Sequence, residues 1–448
     1  MSILDHFEGT PRPQQVEALL RLEANWSKYD VFVVRCPVAT GKSHIAKCLL
    51  NWQGRGTLVV PNNVLKSQIL GDFSDLVTVN NLATYGGRPR YEAALARLRA
   101  SPQRCSTYYG YLGQRHAYYQ PLLVVDEAHN LVGFLQDKEA VNLWLGGARG
   151  HDVPPWVRTA GDLLVWAESA DTKAAAKLAA KLRQHPDTYT LTRTQDYLRG
   201  RLTDVIKLTP VTPRHNAPIL WPSRVKKLVF LSASFHEEDV YDLGLEGRRV
   251  LTIDTGSPIP PTNRPIVYDP VGSMGLGSVE STLPALVARL EELLVTHQTR
   301  GLVHCTYAVA RLLRSSDLGS HSRLLWHTPA TRNQVYAQWL ADGRPDSVLV
   351  GCGFTEGIDL KDDRARWQVV TKLVYPSKAE PAVLKKLQQR PQWYAWSAAR
   401  DLIQACGRVC RTPDDYGVTY ILDRNFSTLY SRSQGLFPPS FRESLKFL

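Results

Sequence analysis

The stretch VFVVRCPVATGKS at residues 31–43 joins a run of apolar residues to a loop that ends in Gly-Lys-Ser. The apolar part predicts a buried parallel strand, and the residues after Ser43 predict a helix. Backbone N–H groups of such a loop bind phosphate together with the positive end of the helix. We expect Thr40, Gly41, Lys42 and Ser43 to hold a nucleotide, with Lys42 on the β- and γ-phosphates and the Ser43 hydroxyl on Mg²⁺. The alternative is a strand–helix turn that ends in these residues by chance.

A second stretch, PLLVVDEAHN at residues 121–130, places two adjacent carboxylates at the end of an apolar strand. Parallel α/β sheets bind their ligands at the carboxyl ends of strands, so these carboxylates are expected beside the phosphate loop. Asp126 would hold Mg²⁺, and Glu127 would polarise the water that attacks the γ-phosphate. Upstream, the Gln15 amide both donates and accepts hydrogen bonds and would read the adenine edge, while an exposed helix start is the simpler interpretation.

Two further stretches contain groups that would act on a bound nucleotide. The strand KLVFLSASF at residues 227–235 ends in Ser232-Ala233-Ser234, whose hydroxyls would couple the nucleotide to movement between domains. Near the carboxyl terminus, Arg408 and Arg411 are three residues apart, so a helix would place them on one face. Two guanidinium groups there would clamp a γ-phosphate in the manner of arginine fingers. In isolation, such a pair is more often solvated.

Composition limits the class of protein. At 448 residues the chain predicts about two or three domains. Lys and Arg number 54 against 42 Asp and Glu, so the net charge of +12 favours a polyanionic partner. We see no secretory signal and no membrane-spanning run, which predicts a cytoplasmic protein. The seven cysteines are dispersed and predict reduced, packed thiols.

The segment YGGRPRY at residues 85–91 combines glycines and arginines with flanking tyrosines. Such a loop would follow a nucleic-acid backbone, so Arg88, Arg90 and Tyr91 are candidate nucleic-acid contacts. A plain surface turn is an equal alternative. Nearby, residues 78–82 predict a third short strand.

The ordered set PVATGKS, DEAHN, LSASF, TEGIDL and QACGRVCR resembles motifs I, II, III, V and VI of superfamily 2 helicases, and within them the XPD/DinG branch. The resemblance implies an α/β fold with two RecA-like P-loop domains and ATP-Mg²⁺ bound between them. It also implies that Glu356, Asp359 and Gln404 contact the nucleotide.

The implied domains follow the motif positions. RecA-like domain 1 would comprise residues 1–135 and 223–250, and domain 2 would comprise residues 251–448. Residues 136–222 would form a helical, arch-like insertion, because 162–183 is rich in Ala and Lys with helical periodicity. Residues 86–120 would be a short remnant in place of an iron–sulfur domain. Only Cys48, in the predicted helix after the phosphate loop, and Cys105 lie between motifs I and II, which is too few for four thiolate ligands, so we predict no iron–sulfur cluster.

Other departures from the family pattern are Cys36 and Ala39, where the phosphate loop usually has glycine, and Ser234, where motif III usually ends in threonine. The resemblance implies a monomeric ATP-dependent DNA helicase that moves 5′→3′ on single-stranded or forked duplex DNA. Three alternatives remain open: a translocase or remodeller that needs a partner to unwind, an RNA helicase, and a binding module without ATPase activity.

Overall fold

The structure, a computed structural model, describes residues 1–146, 151–198, 200–354, 360 and 362–448. Within these residues the strands form two parallel sheets and one antiparallel sheet, which confirms the predicted α/β class. In chain order the strands are β1 (Val31–Arg35), β2 (Gly56–Val60), β3 (Gln103–Thr107), β4 (Leu122–Asp126), β5 (Val141–Trp144), β6 (Tyr189–Leu198), β7 (Arg201–Pro210), β8 (Lys227–Ser232), β9 (Val250–Asp254), β10 (Ile266–Gly272), β11 (Gly301–His304), β12 (Leu324–Trp326), β13 (Val348–Gly351), β14 (Trp367–Val370), β15 (Val418–Asp423) and β16 (Leu445–Phe447).

The α-helices of the described residues lie mostly between these strands, as parallel pairing requires. They are α1 (Pro13–Asn25), α2 (Lys42–Gln53), α3 (Asn63–Asp72), α4 (Arg88–Ala100), α5 (Tyr108–Tyr118), α6 (His129–Glu139), α7 (Ala160–Ser169), α8 (Lys173–Leu182), α9 (Glu237–Asp242), α10 (Val279–Thr296), α11 (Tyr307–Arg314), α12 (Arg332–Ala341), α13 (Pro381–Gln389), α14 (Pro391–Cys406), α15 (Asn425–Arg432) and α16 (Pro439–Arg442).

The first parallel sheet has the strand order β3-β2-β4-β8-β1-β9. Alternate residues of a strand point to opposite faces, and both faces of this sheet are covered. In β1, Val31 and Val33 therefore pack into one hydrophobic cluster, and Phe32 and Val34 pack into another. This explains why the strand is apolar throughout instead of alternating.

The second parallel sheet has the order β12-β13-β11-β14-β15-β10-β16. Its central strands β11, β14 and β15 are packed on both faces by helices such as α10 and α14. The Pro- and Gly-rich residues 255–263 connect the two sheets without a strand, as the sequence indicated. Because β9 pairs with β1, the first sheet extends to Asp254, so the predicted boundary at 250/251 is wrong by one strand.

The prediction of a helical insertion at residues 136–222 is wrong in part. The segment contains α7 and α8, but its other half is an antiparallel sheet with the order β5-β7-β6. The hairpin β6–β7 turns near Gly200, which has a φ of 82°. Where β7 packs with α7 and α8, the buried Ile206 and Leu208 alternate with Lys207 and Thr209, as expected for a sheet with one buried face. This period-two pattern was the signal that the helical interpretation overlooked.

The segment 86–120 is also more than a remnant. It supplies β3, which pairs with β2 at the edge of the first sheet. Residues 78–82 do not form the predicted strand; the nearest pairing is an isolated bridge between Val77 and Arg104. The Arg104 side chain is buried and donates to the carbonyl oxygens of Ser101, Ala117 and Arg99. A buried, fully bonded arginine in an edge strand is not recognisable from hydropathy, which is why β3 was missed.

No helix of the described residues is both long enough and apolar enough to cross a bilayer.

The packing of the second sheet gives a testable prediction at Gly301. A Cβ atom there would lie 2.3 Å from Cε2 of the fully buried Trp367, so Gly301→Ala forces the indole to move. Overpacking of this kind lowers the free energy of unfolding by about 1–3 kcal/mol. The measurement is urea unfolding followed by circular dichroism. Gly343→Ala is the control, because no atom lies within 4 Å of its Cβ position. Equal losses in both variants would contradict the packing argument.

Candidate nucleotide site

The loop predicted to bind phosphate lies at the carboxyl edge of the first sheet, between the end of β1 and the start of α2. Gly41 precedes α2 with a φ of 79°, a conformation that favours glycine. A Cβ atom at Gly41 would lie 2.5 Å from Gln15 Nε2, so the position also lacks room for a side chain. Lys42 and Ser43 then occupy the first turn of α2, where helical N–H groups are unbonded within the helix.

The two unusual residues of the loop differ in their backbone conformation. Cys36 does not adopt a positive φ and its N–H bonds to Ser232 O at 3.0 Å, so glycine is not required there. Ala39 has a φ of 69°, and its carbonyl oxygen accepts a hydrogen bond from the Arg12 guanidinium. The Thr40 hydroxyl is buried and donates to Pro37 O at 2.8 Å. Its side chain therefore supports the loop from inside.

Gln15 contacts the phosphate loop, but its amide is already bonded within the protein. Its Oε1 accepts from Arg12 N at 2.8 Å, and its Nε2 donates to Gly41 O at 3.2 Å. The side chain is 4% exposed. In this structure Gln15 therefore supports the loop, and its predicted contact with adenine stays a prediction.

Asp126 and Glu127 lie at the end of β4, one strand away from β1. Asp126 is 2% exposed, and its Oδ1 accepts a bond from Glu127 N at 2.9 Å. Glu127 has a φ of 47°, which is uncommon for a residue with a side chain. The buried Tyr108 hydroxyl lies 2.7 Å from Asp126 O and 2.8 Å from Glu127 O, and thereby holds this turn. Tyr108 was not found from the sequence, because nothing in its surroundings there marks this contact.

Lys42 forms an ion pair with Glu127 that joins the phosphate loop to the carboxylates; its Nζ lies 3.1 Å from Glu127 Oε1. Burial and the Glu127 charge raise the pKa of Asp126 to about 6. Burial is the largest influence on the pKa of Glu127 and acts to raise it, but the charges of Lys42, His129 and Arg408 and the hydrogen bond from Lys42 together outweigh burial and lower that pKa to about 2. The site therefore has one carboxyl that accepts protons readily and one that is held ionised.

Close polar contacts connect Glu127 to the end of the neighbouring strand β8. His129 Nδ1 lies 3.5 Å from Glu127 Oε2 and 2.8 Å from Ser232 Oγ. Ser232 Oγ in turn accepts from Ser234 N at 3.1 Å. His129 lies within the DEAHN stretch, so its position was visible in the sequence, but its role was not recognised.

The second sheet completes the site through the end of α14 and the residues that follow. Gln404 Nε2 donates to Ser234 Oγ at 2.5 Å, and Gln404 Oε1 accepts from Arg408 Nη2 at 3.4 Å. Arg408 is 8% exposed, and its charge helps to keep the pKa of Glu127 low. The structure thus brings Arg408 into the same cleft as Lys42 and Glu127.

Arg411 is placed differently from the prediction. Because α14 ends at Cys406, Arg408 and Arg411 do not lie on one face of a helix. The Arg411 N–H donates to Asp415 Oδ2 at 2.9 Å, within a turn before β15. A Cβ atom at Gly407 would lie 3.0 Å from Val38 Cγ2, so the helix end approaches the phosphate loop closely and then turns away. The predicted pair of Glu356 and Asp359 lies outside the described residues.

Arg88, Arg90 and Tyr91 do not form the predicted loop, because α4 begins at Arg88 directly after two glycines. Arg88 is exposed and pairs with Glu92 at 3.7 Å, and Arg90 is exposed. Tyr91 accepts a bond from Gln114 Nε2 at 2.8 Å. It also lines a cavity of about 750 Å³ at the carboxyl ends of β2 and β3, together with Asn63, Lys66, Asn80, Thr84 and Thr107.

The candidate site offers oxygen donors for a metal ion but no dedicated metal cluster among the described residues. Among the described residues no group of three or more His, Cys, Asp or Glu side chains is arranged to hold a metal ion. Ser43 and Asp126 provide a hydroxyl and a buried carboxylate, the oxygen donors that Mg²⁺ takes when phosphates and water complete its shell. These residues therefore fit Mg²⁺ that arrives with a nucleotide.

Sequence comparisons match part of the chain to helicases. Residues 303–444 match the family of the helicase C-terminal domain. Regulator of telomere elongation helicase 1 from Homo sapiens is 32% identical over 123 residues, which are 23% of this chain and 10% of the human protein. Its homolog from Drosophila willistoni is 33% identical over 111 residues, which are 21% of this chain and 11% of that protein. The matched stretches thus span about a tenth of these relatives.

Structural comparison extends the likeness to nearly the whole chain. A solved XPD helicase aligns over 98% of this chain and 100% of its own, with a TM-score of 0.65 and 12% identity. Xpd4 of S. tokodaii has the same coverage, a TM-score of 0.63 and 15% identity. These neighbours share the fold of this chain, and together with the match of residues 303–444 to the helicase C-terminal domain they confirm the predicted resemblance to helicases.

The shape of the phosphate loop gives a prediction at Gly41. Gly41→Ala adds a Cβ atom against Gln15 and strains a backbone with positive φ, so we expect ATP affinity to fall by roughly tenfold or more. Titration with a fluorescent ATP analogue measures it. The control is Gly54→Ala at the other end of α2, where φ is 67° and no atom lies within 4 Å of the Cβ position. That variant loses stability only; equal affinity losses would contradict the prediction.

The raised pKa of Asp126 gives a second prediction. A carboxyl whose pKa is about 6 in the folded chain and 3.8 as its ordinary value destabilises the fold above pH 6, and this cost disappears below pH 3.8. Asp126→Asn keeps the acceptor for Glu127 N and removes the charge. We expect the variant to be about 1–3 kcal/mol more stable at pH 8 without nucleotide, and the gain to shrink towards pH 4. Denaturant unfolding at both pH values measures this, and a gain independent of pH would contradict it.

Proposed function

We propose that this chain hydrolyses ATP in the cleft between its two parallel sheets and uses the energy to move along single-stranded DNA. The observation that carries the proposal is the connected path from Glu127 through His129 and the Ser232–Ser234 segment to Gln404 and Arg408. A base, a phosphate-binding lysine and an arginine from the other sheet face one cleft. That is the set of groups that phosphoryl transfer to water requires.

The ion pair between Lys42 and Glu127 explains how hydrolysis would depend on bound ATP. While Lys42 contacts Glu127, its charge keeps the carboxylate a weak base. Phosphate oxygens compete for the lysine, and as Lys42 turns towards them the pKa of Glu127 rises. Glu127 is then better able to take a proton from the attacking water. Glu127 would therefore become a stronger base when ATP is bound.

The remaining site residues have supporting roles in this proposal. Ser43 and Asp126 would hold Mg²⁺, which neutralises phosphate charge when it is bound with ATP. Arg408 would stabilise the charge that develops on the γ-phosphate, because it is buried and enters from the second sheet. Arg411 would act from the rim of the cleft. Gln15 would contact adenine only after exchanging one of its present bonds. Glu356 and Asp359 retain the nucleotide contacts that the family resemblance implies.

Single-stranded DNA is proposed to cross the carboxyl edge of the first sheet. The cavity lined by Tyr91, Tyr109, Lys66 and Asn63 has the polar groups to hold a sugar-phosphate backbone and two aromatic rings for bases. The net charge of +12 favours such a partner. Movement in the 5′→3′ direction, action on forked duplexes, a monomeric state and a cytoplasmic location follow from the resemblance and the composition, and they belong to the same proposal.

The test is steady-state ATPase activity with and without single-stranded DNA, and with RNA of equal length. We expect DNA to stimulate hydrolysis more than RNA does. Glu127→Gln should lower kcat by about 100-fold or more while nucleotide still binds, because the general base is lost. The control is Glu92→Gln, which removes an exposed carboxylate on α4.

The outcomes separate the remaining functions. Stimulation by RNA alone would replace the DNA helicase with an RNA helicase. DNA-stimulated ATPase that displaces streptavidin from a strand end but leaves a forked duplex intact would indicate a translocase. No hydrolysis by the unaltered chain would overturn the proposal in favour of a binding module.

A further inference from the structure

The short helix α9 begins three residues after Ser234 and carries three carboxylates that are almost completely buried. Glu238, Asp239 and Asp242 are 3%, 2% and 1% exposed, respectively. Charged side chains are rarely buried to this extent unless they are paired. The groups that pair with them come from the other half of the chain.

Helix α14, which packs on the second sheet, helix α13 before it and Arg390 between the two helices provide these partners. Lys386 Nζ bonds to Asp242 Oδ2, and Arg390 Nε lies 2.7 Å from Glu238 Oε2. Asp239 receives a hydrogen bond from Trp396 Nε1 at 3.1 Å. We call these three carboxylates, together with Lys386, Arg390 and Trp396, the charged junction.

Aromatic contacts and the insertion reinforce the charged junction. The Arg390 guanidinium lies 3.6 Å from the centre of the Tyr241 ring on α9. The rings of His236 and Trp396 stack with centroids 4.9 Å apart. Asp242 Oδ1 also accepts from the hydroxyl of Thr212, which follows β7 of the insertion, at 2.9 Å. Parts of the chain from both sheets and from the insertion therefore meet at one buried aspartate.

The charged junction shares its helix with the nucleotide site. Trp396 lies near the start of α14, Gln404 lies near its end, and Arg408 follows two residues after Cys406. A helix rises about 1.5 Å per residue, so Trp396 is only about 12 Å from Gln404 along a rigid element. The residues that contact α14 are also close together in the chain, because α9 begins three residues after Ser234. This segment holds α14 at two points, through Ser234 and through α9, and thereby fixes both the position and the tilt of the helix.

We propose that Lys386 and Asp242 are positioning residues, and that the charged junction sets α14 so that Arg408 reaches the γ-phosphate. This inference rests on the proposed function. The pair does not touch the nucleotide; it determines where Arg408 lies relative to Lys42 and Glu127. Lys42 and the loop bind ATP in the ground state, whereas Arg408 acts on the charge of the transition state. Disturbing the charged junction should therefore lower kcat and leave the KM for ATP nearly unchanged.

The test compares three variants. Lys386→Met leaves Asp242 buried without its cation, and we expect kcat to fall roughly 10- to 100-fold, as for a displaced catalytic group. The KM for ATP should change by less than about threefold. Lys386→Arg retains the charge and should restore most of kcat. Lys385→Met is the matched control, because it removes the neighbouring, partly buried lysine of α13, which forms no ion pair with a carboxylate of the described residues.

A double variant distinguishes positioning from simple stabilisation. Lys386→Met with Asp242→Asn leaves no unpaired charge, so the thermal stability lost in Lys386→Met should largely return. If the pair positions Arg408, kcat stays low in this well-folded variant. Wild-type kcat in the double variant would overturn the proposal, as would a Lys386→Met variant that loses stability but keeps its kcat per folded molecule.

A measurement without ATP separates this proposal from the proposed function. Small-angle X-ray scattering should give a larger radius of gyration for Lys386→Met than for Lys385→Met and the unaltered chain, because the two sheets lose an attachment. If the unaltered chain shows no ATPase but this expansion occurs, the proposed hydrolysis fails and the charged junction stands. If ATPase is present and neither kcat nor the radius changes, the charged junction fails and the function stands.

Discussion

The adjacency of three parallel strands, β4, β8 and β1, is the constraint on which the rest of this structure depends. Parallel strands end at the same edge of a sheet, so the phosphate loop, the two carboxylates and the serine segment meet there although the end of β8 lies 106 positions after Asp126. The buried, apolar character of β1 follows from its place between β8 and β9. Every contact of the candidate site starts from this edge.

At that edge two buried or partly buried carboxylates, Asp126 and Glu127, share the positive charge of one lysine, Lys42. Asp126 and Glu127 are neighbours, and burial disfavours the ionised form of both. Lys42 compensates one of them, so that Glu127 stays ionised while the pKa of Asp126 rises. The positive φ of Glu127 and the Tyr108 hydroxyl behind the turn show that the fold holds these groups in an unfavourable arrangement. Strain of this kind is typical of functional sites.

Communication between the two sheets has a physical basis in the contacts of α14. One end of the helix contacts Ser234 through Gln404, and the other end contacts α9 through Trp396. Since α9 follows Ser234 in the chain after two residues, a short, continuous segment joins both contacts of α14 to the candidate site. Helices and packed side chains move as units, so in the proposed cycle a shift at Glu127 would displace Arg408. The insertion contacts the same region through Thr212, which links a third part of the chain to the cleft.

The sequence by itself determined the local elements whose signal lies within a few residues: the strand, loop and helix around Gly41, the strand that ends in Asp126, and the order of the motifs. These follow from hydrophobic runs and turn residues, which act over short distances. Only the tertiary structure decided that β3 and β9 complete the first sheet and that the insertion carries a β-hairpin. The same holds for Arg411, which leaves the helix, and for Lys386, which pairs with Asp242. The last pair is separated by 144 residues, and neither residue signals its partner locally. Long-range pairing depends on how whole sheets pack, and no short sequence pattern encodes that.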